Sequence, residues 1–117
     1  MFVDYSKVSH IFIICGKTDL RRGIDGLASI VHEEYNLDVY RDAIFLFCGN
    51  RMDRFKMLHW DGDGFLLLYR RLESGSLRWP RSRKEVQVLT QQQLRWLLEG
   101  LSIEQARALR PAKPGLF

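Results

Sequence analysis

The amino-acid sequence predicts an α+β domain: a small antiparallel meander sheet, one helix after the first strand, and helices at the C-terminal end. Three observations predict it. Short β-branched and aromatic runs bounded by glycine recur from Ile11 to Leu89. One stretch of 3.6-residue apolar spacing follows the first of those runs. Helix-start signals reappear only at Thr90 and beyond. The 117 residues suit one domain. We place it at 1–110, with 111–117, which holds Pro111 and Pro114, as a loose tail.

Ile11–Cys15 is short, β-branched and closed by Gly16, the pattern of a buried strand. A helix is predicted next. Ile24, Leu27, Ala28, Ile30, Val31 and Tyr35 recur at helical spacing, and Thr18 or Asp19 is the expected N-cap. Gly23 and Gly26 each cost about 1 kcal/mol relative to Ala inside a helix, so a second backbone is expected to pack closely there. The polar stretch from Asn36 to Asp42 ends the helix.

Ile44–Cys48 is a second buried strand, and Gly49-Asn50 a turn. Arg54–Trp60 and Phe65–Arg71 flank Asp61-Gly62-Asp63-Gly64, whose Asp-Gly pairs supply the positive φ of a hairpin turn. Ser74-Gly75 is another turn. Leu77–Trp79 is expected to be a short strand stopped by Pro80, Arg81–Lys84 a basic loop, and Glu85–Leu89 the last extended piece. Thr90 with Gln93 reads as a capping box for a helix striped by Leu94, Leu97, Leu98 and Leu101 and closed by Gly100. Ser102 with Gln105 repeats the signal ahead of a further helix over Ile103–Leu109.

A hydrophobic fraction of 46% and a charged fraction of 27% exclude a disordered, collagen-like or coiled-coil chain. No apolar run approaches the roughly 18 residues of a membrane span, so no membrane association is expected. Met1-Phe2-Val3-Asp4 lacks the basic region and long apolar run of a secretory signal, which points to the cytoplasm. Charge is unevenly spread. The net is −2 over 1–50, +5 over 51–84 and +1 over 85–117. Arginine outnumbers lysine 13 to 5, and arginine is the better bidentate phosphate ligand. The basic segment supplies Arg51, Arg54, Lys56, Arg70, Arg71, Arg78, Arg81, Arg83 and Lys84, with Lys17, Arg21 and Arg22 nearby at the start of the first helix. Such a concentration fits a polyanion, DNA above all. The bland alternative is a sheet face charged for solubility.

Other chemistry is thin. Cys15 and Cys48 end apolar runs and read as buried, reduced thiols. His10, His32 and His59 have no metal-ligand spacing, so neither metal nor cofactor is expected. Gly16-Lys17-Thr18 follows a strand as in a phosphate-binding loop, but the required first glycine is replaced by Ile11. The helix start with Lys17, Arg21 and Arg22 is still able to hold a single phosphate. Asp61 and Asp63 lie in a glycine-rich turn, where backbone geometry accounts for them; a metal-dependent nuclease built on them and Asp53 is the weaker reading. Trp60, Trp79, Trp96, Tyr69 and Phe65 are candidates for base stacking or for core.

The strings GKTDLRRGIDGL, FLFCGNRMDRFKMLHWDGDGFLLLYRRLESGSLRWP and LTQQQLRWLLEGL together resemble the small accessory protein of insertion sequence 66 family elements. That protein comes from the element's second reading frame. It is often called TnpB or Orf2-like and is distinct from the much longer RNA-guided nuclease of the same name. The resemblance spans about residues 8–101 and includes Asp19, Arg21, Arg22, Asp25, Arg51, Asp53, Arg54, Lys56, Trp60, Asp61, Arg71, Glu73, Trp79 and Pro80. Leu20 stands where the family often has Met, and Asn50 where a basic residue is frequent. The resemblance implies a role in DNA transposition beside a separate, larger transposase that carries the acidic catalytic residues. It implies no active site in this chain.

Two function classes therefore lead. One is a non-enzymatic accessory factor that binds DNA, at the element ends, through phosphate contacts from the twelve basic residues named above. The other is an assembly module that docks on the transposase without touching DNA. Sequence pattern leaves the oligomeric state open.

Overall fold

The structure, a computed structural model, describes residues 5–105. A short 3-10 turn, Tyr5–Lys7, leads into β1 (His10–Ile14). Then come α1 (Ile24–Ser29), running directly into a π-helical turn at Ile30–Glu34, and β2 (Ala43–Phe47). β3 (Arg54–Trp60), β4 (Phe65–Arg71), β5 (Val86–Leu89) and α2 (Gln91–Leu98) follow.

The five strands form one sheet in the order β4-β3-β2-β1-β5. It is mixed. β1 and β2 pair in parallel, with Ile11 opposite Ile44 and Ile13 opposite Leu46. The antiparallel meander expected from the sequence covers β2, β3 and β4, and β5 adds antiparallel to β1. The departure has a simple cause. A helix between two strands carries the chain back to its starting end, so the second strand runs the same way as the first.

Both faces of the sheet are covered. Ile11, Ile13, Ile44, Leu46, Phe55 and Met57 pack on one face against Leu77, Trp79, Leu94, Leu97 and Ile103. Phe12, Ile14, Phe45, Phe47 and Leu58 pack on the other against Leu27, Ile30, Val31 and Val39. Every residue of β2 is buried. At about 1.5–3 kcal/mol for each fully buried large apolar side chain, β2 is the anchor of the sheet.

The first helix starts at Ile24, where its apolar spacing begins, and so later than an N-cap at Thr18 or Asp19 would place it. Asp19 does not cap it. Its carboxylate accepts from the backbone N–H of Arg21 (3.0 Å), closing a turn, and Gly23 becomes the N-cap with no side-chain cap bond. Nor does a second backbone approach the helix glycines. A Cβ at Gly23 would meet nothing within 4 Å, and the atoms nearest to one at Gly26 belong to the Arg22 side chain. The helix ends at Asn36, in the left-handed region at φ 53°, where the Leu37 N–H turns back to the Val31 carbonyl (3.1 Å).

Leu77–Trp79 is not a strand. It is an irregular segment bonded across the sheet: the Leu77 N–H donates to the Met52 carbonyl (2.6 Å), and Trp79 Nε1 donates to the Ile14 carbonyl (3.0 Å). The Thr90–Gln93 capping box is present in both directions. α2 closes in a Schellman motif, with Gly100 at φ 80° and the Leu101 N–H donating to the Trp96 carbonyl (2.8 Å). Leu101 itself is exposed. Residues 102–105 are irregular: Ser102 Oγ accepts from the Glu104 N–H, and Gln105 Nε2 donates to the Ser102 carbonyl. The other positions expected to form a second C-terminal helix, 106–109, and the tail lie outside the described residues.

Replacing the fully buried Phe47 with Ala is expected to cost about 3–5 kcal/mol. Thr90→Ala, which removes one cap, is expected to cost about 1 kcal/mol. Urea midpoints at unchanged slope measure both; equal losses would contradict this arrangement.

Candidate nucleic-acid interface

Because β1 and β2 are parallel, the chain leaves both at the same end of the sheet. The loop after β1 crosses the end of β2, where the Thr18 N–H donates to the Cys48 carbonyl (2.8 Å). Gly49 allows the contact. A Cβ there would stand 3.2 Å from both the Thr18 carbonyl oxygen and Leu20 Cγ, tighter than ordinary packing. The loop thus forms one wall of a cleft of about 820 Å³. Gly49, Asn50 and Arg51 line it from the turn after β2. Arg54 and Lys56 come from the start of β3, and Leu67 and Tyr69 from β4.

Five cations meet in this cleft: Lys17, Arg21, Arg51, Arg54 and Lys56. Lys56 Nζ donates to the Arg22 carbonyl (3.1 Å), tying β3 to the loop, and sits 5.9 Å from the Tyr69 ring centroid. Tyr69 is 51% exposed, a ring open to a ligand. Arg71 lies opposite Arg54 in the β3–β4 ladder and pairs with Glu73 (3.1 Å). Lys17, Arg22 and Lys84 border a smaller, adjoining pocket of about 100 Å³.

The remaining sequence-predicted residues do not join the cleft. Arg70 lies opposite Phe55 and so belongs to the other face. Arg78 and Arg83 are exposed on the long segment between β4 and β5. Arg81 turns inward, where its Nη2 donates to the Gly49 carbonyl and to Cys48 Sγ; its Nε and Nη1 are buried without a partner. Among the candidate aromatics, Trp79 is core, while Trp60 and Phe65 pack with Tyr40 at the other end of β3 and β4. Sequence reasoning missed Gly49 as a packing glycine. Its only signal was the CGN string, which reads equally well as a turn.

The acidic candidates have local duties. Asp61 Oδ1 accepts the backbone N–H groups of Asp63 and Gly64, both at 2.9 Å, which holds its carboxyl below the usual range. Asp53 binds Arg54 (2.8 Å), again lowering the carboxyl. Among the described residues no group of three or more His, Cys, Asp or Glu is placed to hold a metal ion, and no helix is long and apolar enough to cross a membrane.

The sequence profile described as IS66 Orf2 like protein matches residues 9–108. The chain belongs to this family. Membership gives it an accessory role associated with transposition. Two proteins of Sinorhizobium fredii (strain NBRC 101917 / NGR234) are similar. The uncharacterized protein y4jC is 30% identical over 111 residues, covering 92% of this chain and 95% of its own length. The uncharacterized protein y4hO is 31% identical over 106 residues, covering 90% and 92%. No solved structure matches.

In this IS66 Orf2-like protein the cleft wall carries its own titration marker. The Asp19 carboxylate accepts from Arg21 Nε and Nη2, both at 3.0 Å, and that pairing lowers its pKa to about 2. The folded value lies below the unfolded one, so the stabilisation is present above about pH 4 and is lost as pH falls through the folded value. An NMR titration of the Asp19 side-chain carboxyl should show a midpoint near 2; a midpoint near 4 would mean the pair does not form in solution. The thiols behave oppositely. Burial raises Cys15 to about 11 and also raises Cys48, where Arg81 partly offsets it. Both are expected to resist a thiol reagent at pH 8 in the folded protein and to react together in denaturant. Rapid labelling of the native chain would contradict their burial.

Proposed function

We propose that this protein is a non-enzymatic DNA-binding factor. It acts beside a separate transposase and holds the phosphate backbone of element ends in the cleft between the loop after β1 and the start of β3. One observation carries the reading: Lys17, Arg21, Arg51, Arg54 and Lys56 converge on one concave surface although they come from two distant stretches of chain, 17–21 and 51–56. Asp19 and Asp53 are the opposing charges, and each is bound to a single arginine of the set. The cleft therefore keeps a positive surplus. Arginine forks there match phosphate oxygens, and the exposed Tyr69 ring offers an adjoining stacking surface.

The binding is expected to be dominated by counterion release. With about five phosphate contacts on duplex DNA, log K against log salt should slope at about −4 to −5. Arg51→Ala and Lys17→Ala, both at exposed positions, should each flatten the slope by about 1, whereas Arg70→Ala on the opposite face should leave it unchanged. Asn50→Arg, which adds a cation to the cleft lining, should steepen it. Fluorescence anisotropy with a labelled element-end duplex across a salt series measures all four. Flat salt dependence, or equal effects of Arg70→Ala and Arg51→Ala, would remove this function.

A further inference from the structure

A second concave surface lies on the same sheet face as the cleft, and its character is opposite. It is a groove of about 660 Å³ between α1 with its π-helical turn and the start of β4. Ala28, Leu37, Val39, Tyr40 and Phe65 supply its apolar lining. Asp25, Glu33 and Asp38 supply acidic groups, and the lining contains no lysine or arginine. Tyr40 is 62% exposed and packs edge-on to Trp60, with ring centroids 5.0 Å apart; Trp60 in turn packs against Phe65 at 5.0 Å. An exposed Tyr40 ring resting on the half-buried Trp60 and Phe65, beside three carboxylates, has the make-up of an interaction surface. The cluster takes no part in the cation-lined cleft, although Phe65 and Leu67, two positions apart on β4, belong one to each.

We propose that this groove docks a short basic, partly apolar segment of a protein partner, with arginine side chains between Tyr40 and the carboxylates and an aliphatic side chain on the Phe65 and Leu37 surface. Charge complementarity selects the occupant. The whole chain is positive, with a net charge of +4, so a cationic peptide is repelled everywhere except where acids gather. A polyanion is excluded from the groove by Asp25, Glu33 and Asp38. An arginine is favoured over a plain ammonium, because its planar guanidinium stacks on an aromatic ring while bonding carboxylate oxygens. A protein that uses both surfaces holds DNA at one end of the β3–β4 hairpin and a protein partner at the other.

The test uses the full-length, isotope-labelled protein titrated with a synthetic twelve-residue peptide of alternating arginine and leucine, with an all-glutamate peptide of equal length as control. Backbone shifts are expected at Asp25, His32, Glu33, Asp38 and Tyr40, together with a change in Trp60 fluorescence. The combined variant Asp25→Asn, Glu33→Gln, Asp38→Asn keeps side-chain size at exposed positions and should weaken binding by about tenfold or more. Tyr40→Ala should weaken it independently. Shifts scattered over the surface, no shifts, or an unchanged affinity in the triple variant would each overturn the proposal. None of these outcomes depends on whether the cleft binds DNA.

Discussion

The parallel pairing of β1 with β2 is the constraint on which the rest depends. Both strands are buried on both faces, so neither can slide or tilt without exposing apolar surface. Their shared direction brings the two loops that follow them to one end of the sheet. There the Thr18–Cys48 backbone bond and the side-chain-free surface of Gly49 lock the loops together. Crevices outside the carboxyl ends of parallel strands are where open α/β sheets bind ligands. The cleft occupies that position in a sheet where β1 and β2 are the one neighbouring pair that is parallel.

Electrostatics acts on this frame rather than building it. The Asp19–Arg21 and Arg71–Glu73 pairs are largely exposed, with Arg21 92% accessible, and exposed pairs contribute little to stability. Their effect is on shape and sign. Asp19 fixes Arg21 against its own loop, and Asp53 holds Arg54 at the mouth of the turn after β2. Lys17 and Arg51 stand exposed in the cleft lining, available to an incoming polyanion.

One sheet face thus presents two surfaces of opposite sign, separated along the β3–β4 hairpin. α1 and its π-helical turn lie against the same face through Leu27, Ile30 and Val31. The helix walls the groove, the loop before it walls the cleft, and β4 lines both, through Phe65 in the groove and Leu67 in the cleft.

By itself the sequence determined the elements with strong local signals. The apolar runs at Ile11–Cys15 and Ile44–Cys48, the Asp-Gly hairpin, the Thr90–Gln93 box and the Gly100 stop all follow from side-chain periodicity or from conformations that few residues tolerate. Kinship with insertion-element accessory proteins was legible for a related reason, since three ordered motif blocks cover most of the chain. Only the tertiary structure decided the rest. Asp19 closes a turn with Arg21 instead of capping a helix, because a neighbouring guanidinium and backbone N–H compete for the same oxygens. Leu77 and Trp79 reach the core without joining the sheet. Of the nine basic residues between 51 and 84, Arg51, Arg54 and Lys56 enter the cleft, whereas Arg70 faces away and Arg81 points inward. Linear charge density fixes how many cations a segment carries; strand alternation and loop closure fix where they point, and those depend on contacts between residues far apart in the chain.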